Sequence, residues 1–293
     1  EGTAIAEIGE MYEAGVVAIS DGDEFIDSAA LMRNVMRYSR MFDLPIMTHC
    51  EDRSLSGKGV MNEGYTASCL GLSGMPREAE ELQVARNILL AEITGARLHI
   101  AHVSTGGSVR MVRDAKKRGL QVTCETCPHY FALTEEAVED YNTFAKVNPP
   151  LRTQEDVEAI LEGIADGTID AIASGHSPTS RTDKDKEFGN AAYGISALET
   201  AFPISFTKLV ETGIISLARL VELMSQKPAE ILKLEQKGEI AVGKDADLIV
   251  IETKGTQIIE PELFASKAKF SPFAGQEVKG RVVYTIVGGK IVS

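Results

Sequence analysis

Short apolar, β-branched runs recur along the first two hundred residues, each followed by a polar residue and an amphipathic helical pattern. Such an alternation predicts a parallel sheet covered by helices. The clear runs lie at residues 16–19, 44–48, 98–101, 121–124 and 171–173, with a weaker sixth at residues 145–147. Polar residues end nearly every run. This favours a (β/α)8 barrel over a doubly wound sheet, because many strands of a barrel end in functional groups.

The number of predicted strands indicates an incomplete barrel, and a change of composition after residue 234 indicates a second segment. A closed barrel needs eight parallel strands, so we expect a barrel that is incomplete at its N-terminus. An unclosed barrel exposes strand edges, and we expect the chain alone to be marginally stable unless a partner or further sequence closes it. The sequence after residue 234 is rich in glycine and β-branched residues. We predict a partial barrel over residues 1–234 and a small β-rich segment over residues 235–293.

One helix is predicted with defined ends. Residues 77–94 carry an apolar periodicity, and Gly95 follows at the position of a helix C-cap glycine. Four apolar residues of this segment lie on one helical face: Leu82, Ala85, Leu89 and Ile93.

Composition excludes several classes of function. The 293 residues contain 30 Lys+Arg and 43 Asp+Glu, a net charge of −13, which argues against nucleic-acid or anionic membrane partners. No apolar stretch approaches the roughly 20 residues of a membrane span. Four cysteines are too few for a disulfide framework in a chain of this length. We therefore expect a cytoplasmic protein.

Two histidines directly follow predicted strands and are the first candidates for chemistry. His49 and His102 each stand at a strand end, where neutral imidazoles facing a barrel mouth are suited to bind a divalent metal. The alternative is a strand-end histidine that only hydrogen-bonds to a loop. Asp21 and Asp23 flank Gly22 after the first strand and could complete a metal site, or could simply cap a helix or a turn.

Other motifs are weaker. Cys124 and Cys127 with His129 have zinc-ligand chemistry, but no second pair stands at zinc-finger spacing, so strand packing is the better interpretation for Cys124. Residues 146–152 place Asn148 and Arg152 around a proline turn, where they could hold a carboxylate or a ureide. Two long connections, residues 51–75 and 177–190, suit active-site covers better than simple loops.

Taken together, these motifs resemble the bacterial dihydroorotases of the amidohydrolase superfamily. The resemblance covers essentially the whole chain, and its blocks lie at residues 48–52, 101–105, 146–152, 169–173, 243–248, 272–275 and 284–287. It implies a distorted TIM barrel with one or two zinc ions. It also implies the reversible ring opening of dihydroorotate to N-carbamoyl-aspartate in pyrimidine synthesis, with a metal-bound hydroxide as nucleophile.

The resemblance carries over to some residues by position. His49 and His102 match the two single-histidine metal ligands of the family. Asn148 matches a substrate-contacting asparagine, and Tyr193 with Gly194 falls on a Phe-Gly pair that touches substrate.

Several expected positions are substituted. The His-x-His motif of the family's first strand is absent from this sequence, and the bridging aspartate falls on Gly22, with Asp21 beside it as a partial replacement. The aspartate that serves as general base falls on Gly175, and a substrate-binding histidine falls on Thr179. Because glycine can neither bind a metal nor move a proton, activity and zinc occupancy are expected to be weak or lost.

Three functional hypotheses follow. The first is a dihydroorotase by descent and fold, with a small ureide as substrate and a homo-oligomeric assembly. The second is a non-catalytic scaffold for a partner enzyme, with aspartate transcarbamoylase as the natural candidate. The third is another cyclic ureide hydrolase, related to hydantoinase or allantoinase, which ranks lowest because no lysine stands near Asp21 to form a carboxylated bridging ligand.

Overall fold

The computed structural model describes residues 2–22 and 25–293. Its strands, numbered in chain order, are β1 (Ile19–Ser20), β2 (Ile46–Thr48), β3 (Met61–Asn62), β4 (Gly74–Met75), β5 (Leu98–Ile100), β6 (Val122–Thr126), β7 (Ala171–Ile172), β8 (Leu248–Ile258), β9 (Glu277–Val287) and β10 (Lys290–Ile291). Its α-helices are α1 (Ile8–Glu13), α2 (Ala29–Arg40), α3 (Arg53–Ser56), α4 (Tyr65–Leu70), α5 (Glu78–Thr94), α6 (Gly106–Lys117), α7 (Pro128–Ala132), α8 (Gln154–Ala165), α9 (Arg181–Lys184), α10 (Leu198–Ser205), α11 (Leu217–Val221) and α12 (Lys227–Ile231).

The chain forms two compact units. One contains Glu1–Thr126 and Arg152–Asp170, and the other contains Cys127–Leu151 and Ala171–Ser293. No helix of the described residues is both long and apolar enough to cross a membrane.

The first unit is built on a parallel sheet. Its strands lie in the order β1, β2, β5, β6, and each is parallel to the next. Because Thr48 pairs with Ile100, the carboxyl ends of β2 and β5 are level. Residues that follow these strands therefore share one edge of the sheet, which is the edge that carries function in α/β barrels.

Helix α5 confirms the predicted helical segment, and the apolar face predicted from its sequence points outward. The helix ends at Thr94, and Gly95 adopts a left-handed φ of +67°, a conformation that glycine reaches without a Cβ penalty. The buried residues of α5 are Ala79, Glu80, Gln83, Val84, Asn87, Ile88, Ala91 and Thr94. The predicted apolar face with Leu82 and Leu89 is instead exposed.

The second unit contains β7, β8, β9 and β10, whereas β3 and β4 pair with each other within the first unit. The second unit also corrects one prediction. Residues 145–147 do not form a sixth parallel strand. Ala145 ends a 3-10 turn, Thr143–Ala145, and the backbone N–H groups of Ala145 and Lys146 donate within that turn to Asn142 O and Thr143 O, so they are not available to a sheet. The side chain of Lys146 is held by the carbonyl groups of Phe188 and Ala191. Further 3-10 turns span Glu135–Tyr141, Phe188–Asn190 and Pro261–Leu263. Helix α10 continues into a π-helical turn, Phe206–Val210, and a second π turn, Glu222–Gln226, links α11 to α12.

The β-rich sequence after residue 235 forms an antiparallel sheet in the order β10, β9, β8. A small core in this unit consists of Ile204, Ile259, Phe264, Phe273 and Val278. Most other side chains of β8 and β9 are exposed. The two predicted cover segments also contain regular structure: residues 51–75 include α3, β3 and α4, and residues 177–190 include α9.

Candidate functional site

The histidines that follow β2 and β5 face each other. His49 Nδ1 lies 2.8 Å from His102 Nε2, and the ring centroids are 4.6 Å apart. His102 has a φ of +38°, which is uncommon for a residue with a Cβ and typical of sites where the surroundings hold the backbone in place. The structure therefore brings the two sequence-predicted residues together at one edge of the sheet.

His49 is held on several sides. Its Nε2 lies 3.1 Å from Glu51 Oε2, and its backbone N–H donates to Asp21 Oδ1 at 2.9 Å. Phe25 stacks on the imidazole with a centroid distance of 4.6 Å. Phe25 was not among the predicted site residues, because nothing in its sequence neighbourhood indicates a stacking role. The guanidinium of Arg53 lies over the Phe25 ring, 4.7 Å from its centroid.

The residues after β1 supply the carboxylate of Asp21 and, at Gly22, a position with unfilled space for a side chain. Burial raises the pKa of Asp21 to about 6, although the backbone N–H of His49 lowers it in part. Gly22 has a φ of +63°, and a Cβ built there would meet no atom within 4 Å. Space for a side chain thus exists at position 22, but glycine leaves it without a donor. Asp23, the other sequence candidate, lies outside the described residues.

The donor set in this unit does not complete a zinc site. Zinc sites in proteins use three or four protein ligands, and the imidazoles of His49 and His102 supply two nitrogens with suitable chemistry. Among residues 2–22 and 25–293, no group of three or more His, Cys, Asp or Glu side chains is placed to hold a metal ion. The residues present therefore do not fit the metal centre that the resemblance implies.

In the second unit, Gly175 follows β7 with a φ of +62°. A Cβ at this position would lie 2.5 Å from His129 Cε1 and 3.0 Å from Cys127 Sγ. Real Cβ atoms do not approach carbon so closely, so the space beside residue 175 is filled by His129 and Cys127. Any side chain here would displace them. The sequence indicated His129 only as part of a weak metal motif, because its contact with residue 175 arises from tertiary packing.

Two histidines flank this position in the second unit. Burial lowers the pKa of His129 to about 3, so its ring is neutral at physiological pH. Its Nδ1 is buried and has no hydrogen-bond partner in the described part of the chain. His176 Nδ1 accepts the backbone N–H groups of Ala197 and Leu198 at 3.0 and 3.3 Å. The acceptor role of Nδ1 leaves the proton of a neutral ring on Nε2.

The predicted substrate-binding residues also lie in the second unit. Gly194 donates its N–H to Lys146 O at 3.0 Å, and a Cβ there would lie 2.2 Å from Ser177 O, so only glycine fits. The ring centroid of Tyr193 lies 4.5 Å from Lys146 Nζ. Asn148 is two residues beyond Lys146 in the chain. The structure therefore brings Tyr193 and Gly194 to the segment that precedes Asn148.

Some buried hydroxyl groups in this unit are unpaired. Thr179 Oγ1 and Ser196 Oγ have no hydrogen-bond partner in the described part of the chain. Buried polar atoms are almost always hydrogen-bonded, so an unpaired one often marks a place where a ligand or water binds. Arg152, by contrast, is committed within the first unit: it donates to Ser104 Oγ, Asn62 Oδ1 and Met75 O.

The Amidohydrolase family model matches residues 3–292. The chain belongs to the amidohydrolase family. It is 49% identical to the dihydroorotase of Acetivibrio thermocellus, over 100% of this chain and 68% of that protein. It is 51% identical to the dihydroorotase of Caldanaerobacter subterraneus subsp. tengcongensis, over 99% of this chain and 67% of that protein. Within the family, the chain therefore groups with the dihydroorotases, as its motifs predict.

Solved structures agree on the fold. An L-hydantoinase (dihydropyrimidinase) from Arthrobacter aurescens superimposes with a TM-score of 0.87 at 30% identity, covering 98% of this chain and 67% of that one. A dihydropyrimidinase from Brevibacillus agri gives a TM-score of 0.83 at 24% identity, covering 94% of this chain and 62% of that one. This chain thus spans about two thirds of the length of its relatives. Its fold is of the α/β barrel type that the sequence predicts.

Proposed function

We propose that this chain is a dihydroorotase homologue that binds a small cyclic ureide and opens or closes its ring weakly or not at all. The reaction concerned is the reversible conversion of dihydroorotate to N-carbamoyl-aspartate in pyrimidine biosynthesis. The observation that supports the proposal most strongly is Gly175, where the place of a general-base carboxylate is filled by His129 and Cys127.

Proton transfer is the step that this site supports least. Glycine has no group that moves a proton. The neighbouring imidazole does not replace it, because a base whose pKa is about 3 is weak at neutral pH. Family members are proposed to use Zn²⁺, which would polarise the ring carbonyl and activate water when bound. The two imidazoles of His49 and His102 are the part of the donor set that fits such an ion.

Ureide binding has better support. A ureide ring presents two carbonyl oxygens and two N–H groups, which need donors and acceptors at short range. The hydroxyl groups of Thr179 and Ser196 are buried and have no partner among residues 2–22 and 25–293, and each can both donate and accept. Asn148 and the Tyr193-Gly194 pair are proposed to complete this binding set. Retained binding without turnover is the expected outcome.

The test measures binding and turnover on the same preparation. Calorimetric titration of the purified chain with dihydroorotate and with N-carbamoyl-aspartate reports binding, and a zinc-supplemented assay in both directions reports turnover. We expect binding with little turnover, and elemental analysis should find less than one zinc per chain. Robust turnover of dihydroorotate would refute the proposal. Gly175→Asp is expected not to restore activity, because the new side chain collides with His129.

Two alternatives rank below this proposal. A hydantoinase-type or allantoinase-type substrate ranks lower because sequence identity is about 50% with dihydroorotases and 30% with the L-hydantoinase. Preferential binding of a hydantoin over dihydroorotate would reverse this order. A scaffold role toward aspartate transcarbamoylase agrees with a retained framework and a substituted position 175. Failure of the chain to associate with that enzyme in gel filtration would argue against it.

A cytoplasmic location is part of the same proposal. All four cysteines are free thiols, and Cys50, Cys124 and Cys127 are buried. This is the pattern expected in a reducing compartment.

A further inference from the structure

Two buried ammonium groups, those of Lys146 and Lys184, lie beside residues that are proposed to bind the ureide. The two lysines are 2% and 0% exposed. Lys146 Nζ lies 4.5 Å from the ring centroid of Tyr193. Lys146 O accepts the N–H of Gly194 at 3.0 Å and Lys184 Nζ at 3.2 Å, and Asn148 stands two residues further along the chain. The buried amine pair and the proposed binding residues therefore belong to one part of the second unit.

The buried amine pair has no carboxylate partner in the described part of the chain. Both amines donate there to neutral backbone oxygens, those of Phe188, Gly189 and Ala191 for Lys146 and those of Thr143, Lys146 and Ala192 for Lys184. Burial, and then the nearby charge of Lys146, lower the pKa of Lys184 to about 8. Buried charges are usually paired with an opposite charge, because their removal from water is costly. Two adjacent positive charges without such a partner favour an anion in their surroundings.

The other charges of the surrounding segment do not cancel the buried amine pair. Arg181 pairs with Asp185 at 2.9 Å, and Lys186 pairs with Asp183 at 2.9 Å, with side chains that are about half exposed or more. Glu187 is exposed as well. Water and salt screen exposed charges strongly and buried charges much less. The two buried amines therefore dominate the electrostatic field on the inner side of this segment.

We propose that Lys146 and Lys184 determine specificity, by favouring an anionic cyclic ureide over a neutral one at the proposed binding residues. This inference rests on the proposed ureide binding. Each amine already uses its three N–H donors on the chain, so it acts on a ligand through its charge and not through a hydrogen bond. Dihydroorotate carries a carboxylate on a ring that is otherwise that of neutral dihydrouracil. Only dihydroorotate gains from the field of the buried amine pair.

The two ligands form a matched pair for the test. Calorimetric titration of the full chain at pH 7 should show dihydroorotate bound about tenfold more tightly than dihydrouracil. Lys146→Met should weaken dihydroorotate by about tenfold and change dihydrouracil by less than about twofold. A variant that merely disordered the segment would weaken both ligands alike. Lys186→Met is the control, because it removes an exposed, paired amine of the same segment, and it should change neither affinity.

The native chain provides a second test that needs no substitution and so remains available if Lys146→Met does not fold. Burial lowers the pKa of both lysines to about 8, so both amines are mostly charged at pH 7 and mostly neutral at pH 9. The preference for dihydroorotate should therefore shrink between these two values.

The outcomes separate this inference from the proposed function. Equal binding of the two ligands by the native chain, an unchanged preference at pH 9, or an equal loss of both ligands in Lys146→Met would overturn the charge selection and leave ureide binding in place. Absence of binding of either ligand would refute the proposed function, and the charge selection with it.

Discussion

At the scale of single residues, Gly175 is one of the positions where the structure accepts only glycine. Its left-handed backbone and its contact with His129 and Cys127 both exclude a side chain. The two causes are separable, because Gly71 has nearly the same φ, +65°, with no atom within 4 Å of its built Cβ. A substitution at position 71 therefore reports only the free-energy cost of placing a side chain on a left-handed backbone.

Gly175→Ala should lower the free energy of unfolding by about 3 kcal/mol, from backbone strain together with overpacking. Gly71→Ala should cost about 1 kcal/mol, from backbone strain alone. Urea denaturation followed by circular dichroism measures both changes. Equal losses for the two variants would show that His129 and Cys127 yield freely to a new side chain.

Residues at strand ends were the most predictable part of the candidate site. The convergence of His49 and His102 follows from local patterns, because both histidines come directly after apolar strands that a parallel sheet aligns. The contact of Gly175 with His129 joins residues 46 positions apart in the sequence, and the stacking of Phe25 on His49 joins residues 24 apart. Such contacts depend on tertiary packing, which no local pattern encodes.

At the scale of elements, two buried lysines fasten the segment of residues 181–194 within the second unit. Lys146 Nζ donates to the carbonyl groups of Phe188, Gly189 and Ala191 at 2.7–3.2 Å. Lys184 Nζ donates to those of Thr143, Lys146 and Ala192 at 2.8–3.2 Å. Each ammonium group thus uses all three of its donors on backbone oxygens. The segment predicted as an active-site cover is therefore anchored by two buried lysines.

These lysines should affect stability at alkaline pH. Burial lowers the pKa of Lys146 and of Lys184 from 10.5 to about 8, so between these values the unfolded chain holds protons that the folded chain has lost. Their contribution to the free energy of unfolding therefore rises with pH from about 8 to about 10.5. Buried Cys50 and Cys124 act in the opposite direction, because burial raises their pKa to about 12.

A difference measurement isolates the lysines from the thiols. The thermal midpoint of the native chain minus that of Lys146→Met/Lys184→Met should increase between pH 8 and pH 10. Lys186→Met serves as the control, because Lys186 lies close by in sequence but is half exposed and paired with Asp183. A difference that stays flat across this range would mean that both lysines keep ordinary pKa values in the fold.

The existence of elements was more predictable than their orientation. Helix α5 and its terminal Gly95 were expected from periodicity and composition. The solvent-exposed face of the helix nevertheless carries large apolar side chains, those of Leu82, Leu89 and Ile93. Periodicity identifies an apolar face, but it does not reveal whether that face meets the core of the same chain or another molecule. The expected strand at residues 145–147 was wrong, because the backbone N–H groups of Ala145 and Lys146 are used within a 3-10 turn.

At the scale of the whole molecule, the antiparallel sheet of β8, β9 and β10 leaves many apolar side chains in contact with solvent. Ile249, Val250 and Val287 are 53%, 45% and 52% exposed. Exposed apolar strands promote aggregation. Ile249→Thr/Val287→Thr should reduce aggregation and dye binding while changing the free energy of unfolding by less than about 1 kcal/mol, because threonine keeps a high β propensity.

Val278→Thr, on the same strand as Val287, is the matched substitution at a buried position. Val278 is 3% exposed and belongs to the core of the second unit. It should cost about 2 kcal/mol, because a hydroxyl group is then buried. Light scattering and urea denaturation report the two quantities. A large stability loss in the surface variant would show that these side chains are covered in solution.

The fold class and the family of the protein could be predicted from its sequence, but its catalytic activity could not. Strand alternation and motif order predicted the α/β barrel type and the dihydroorotase resemblance, and family comparison bears out both. The boundary at residue 235 and the roles of the site residues stay predictions. Activity depends on whether donors converge within a few tenths of an ångström, and sequence patterns do not resolve such distances.

The buried side-chain amines of Lys146 and Lys184 can also report how often the loop around them opens. An acylating reagent reacts with free, accessible amines, so Lys146 and Lys184, which are 2% and 0% exposed, should label only in molecules where the surrounding loop has opened. Their acylation rate, read by mass spectrometry against that of exposed lysines, would give the opening frequency of this loop in the intact protein without any engineered probe.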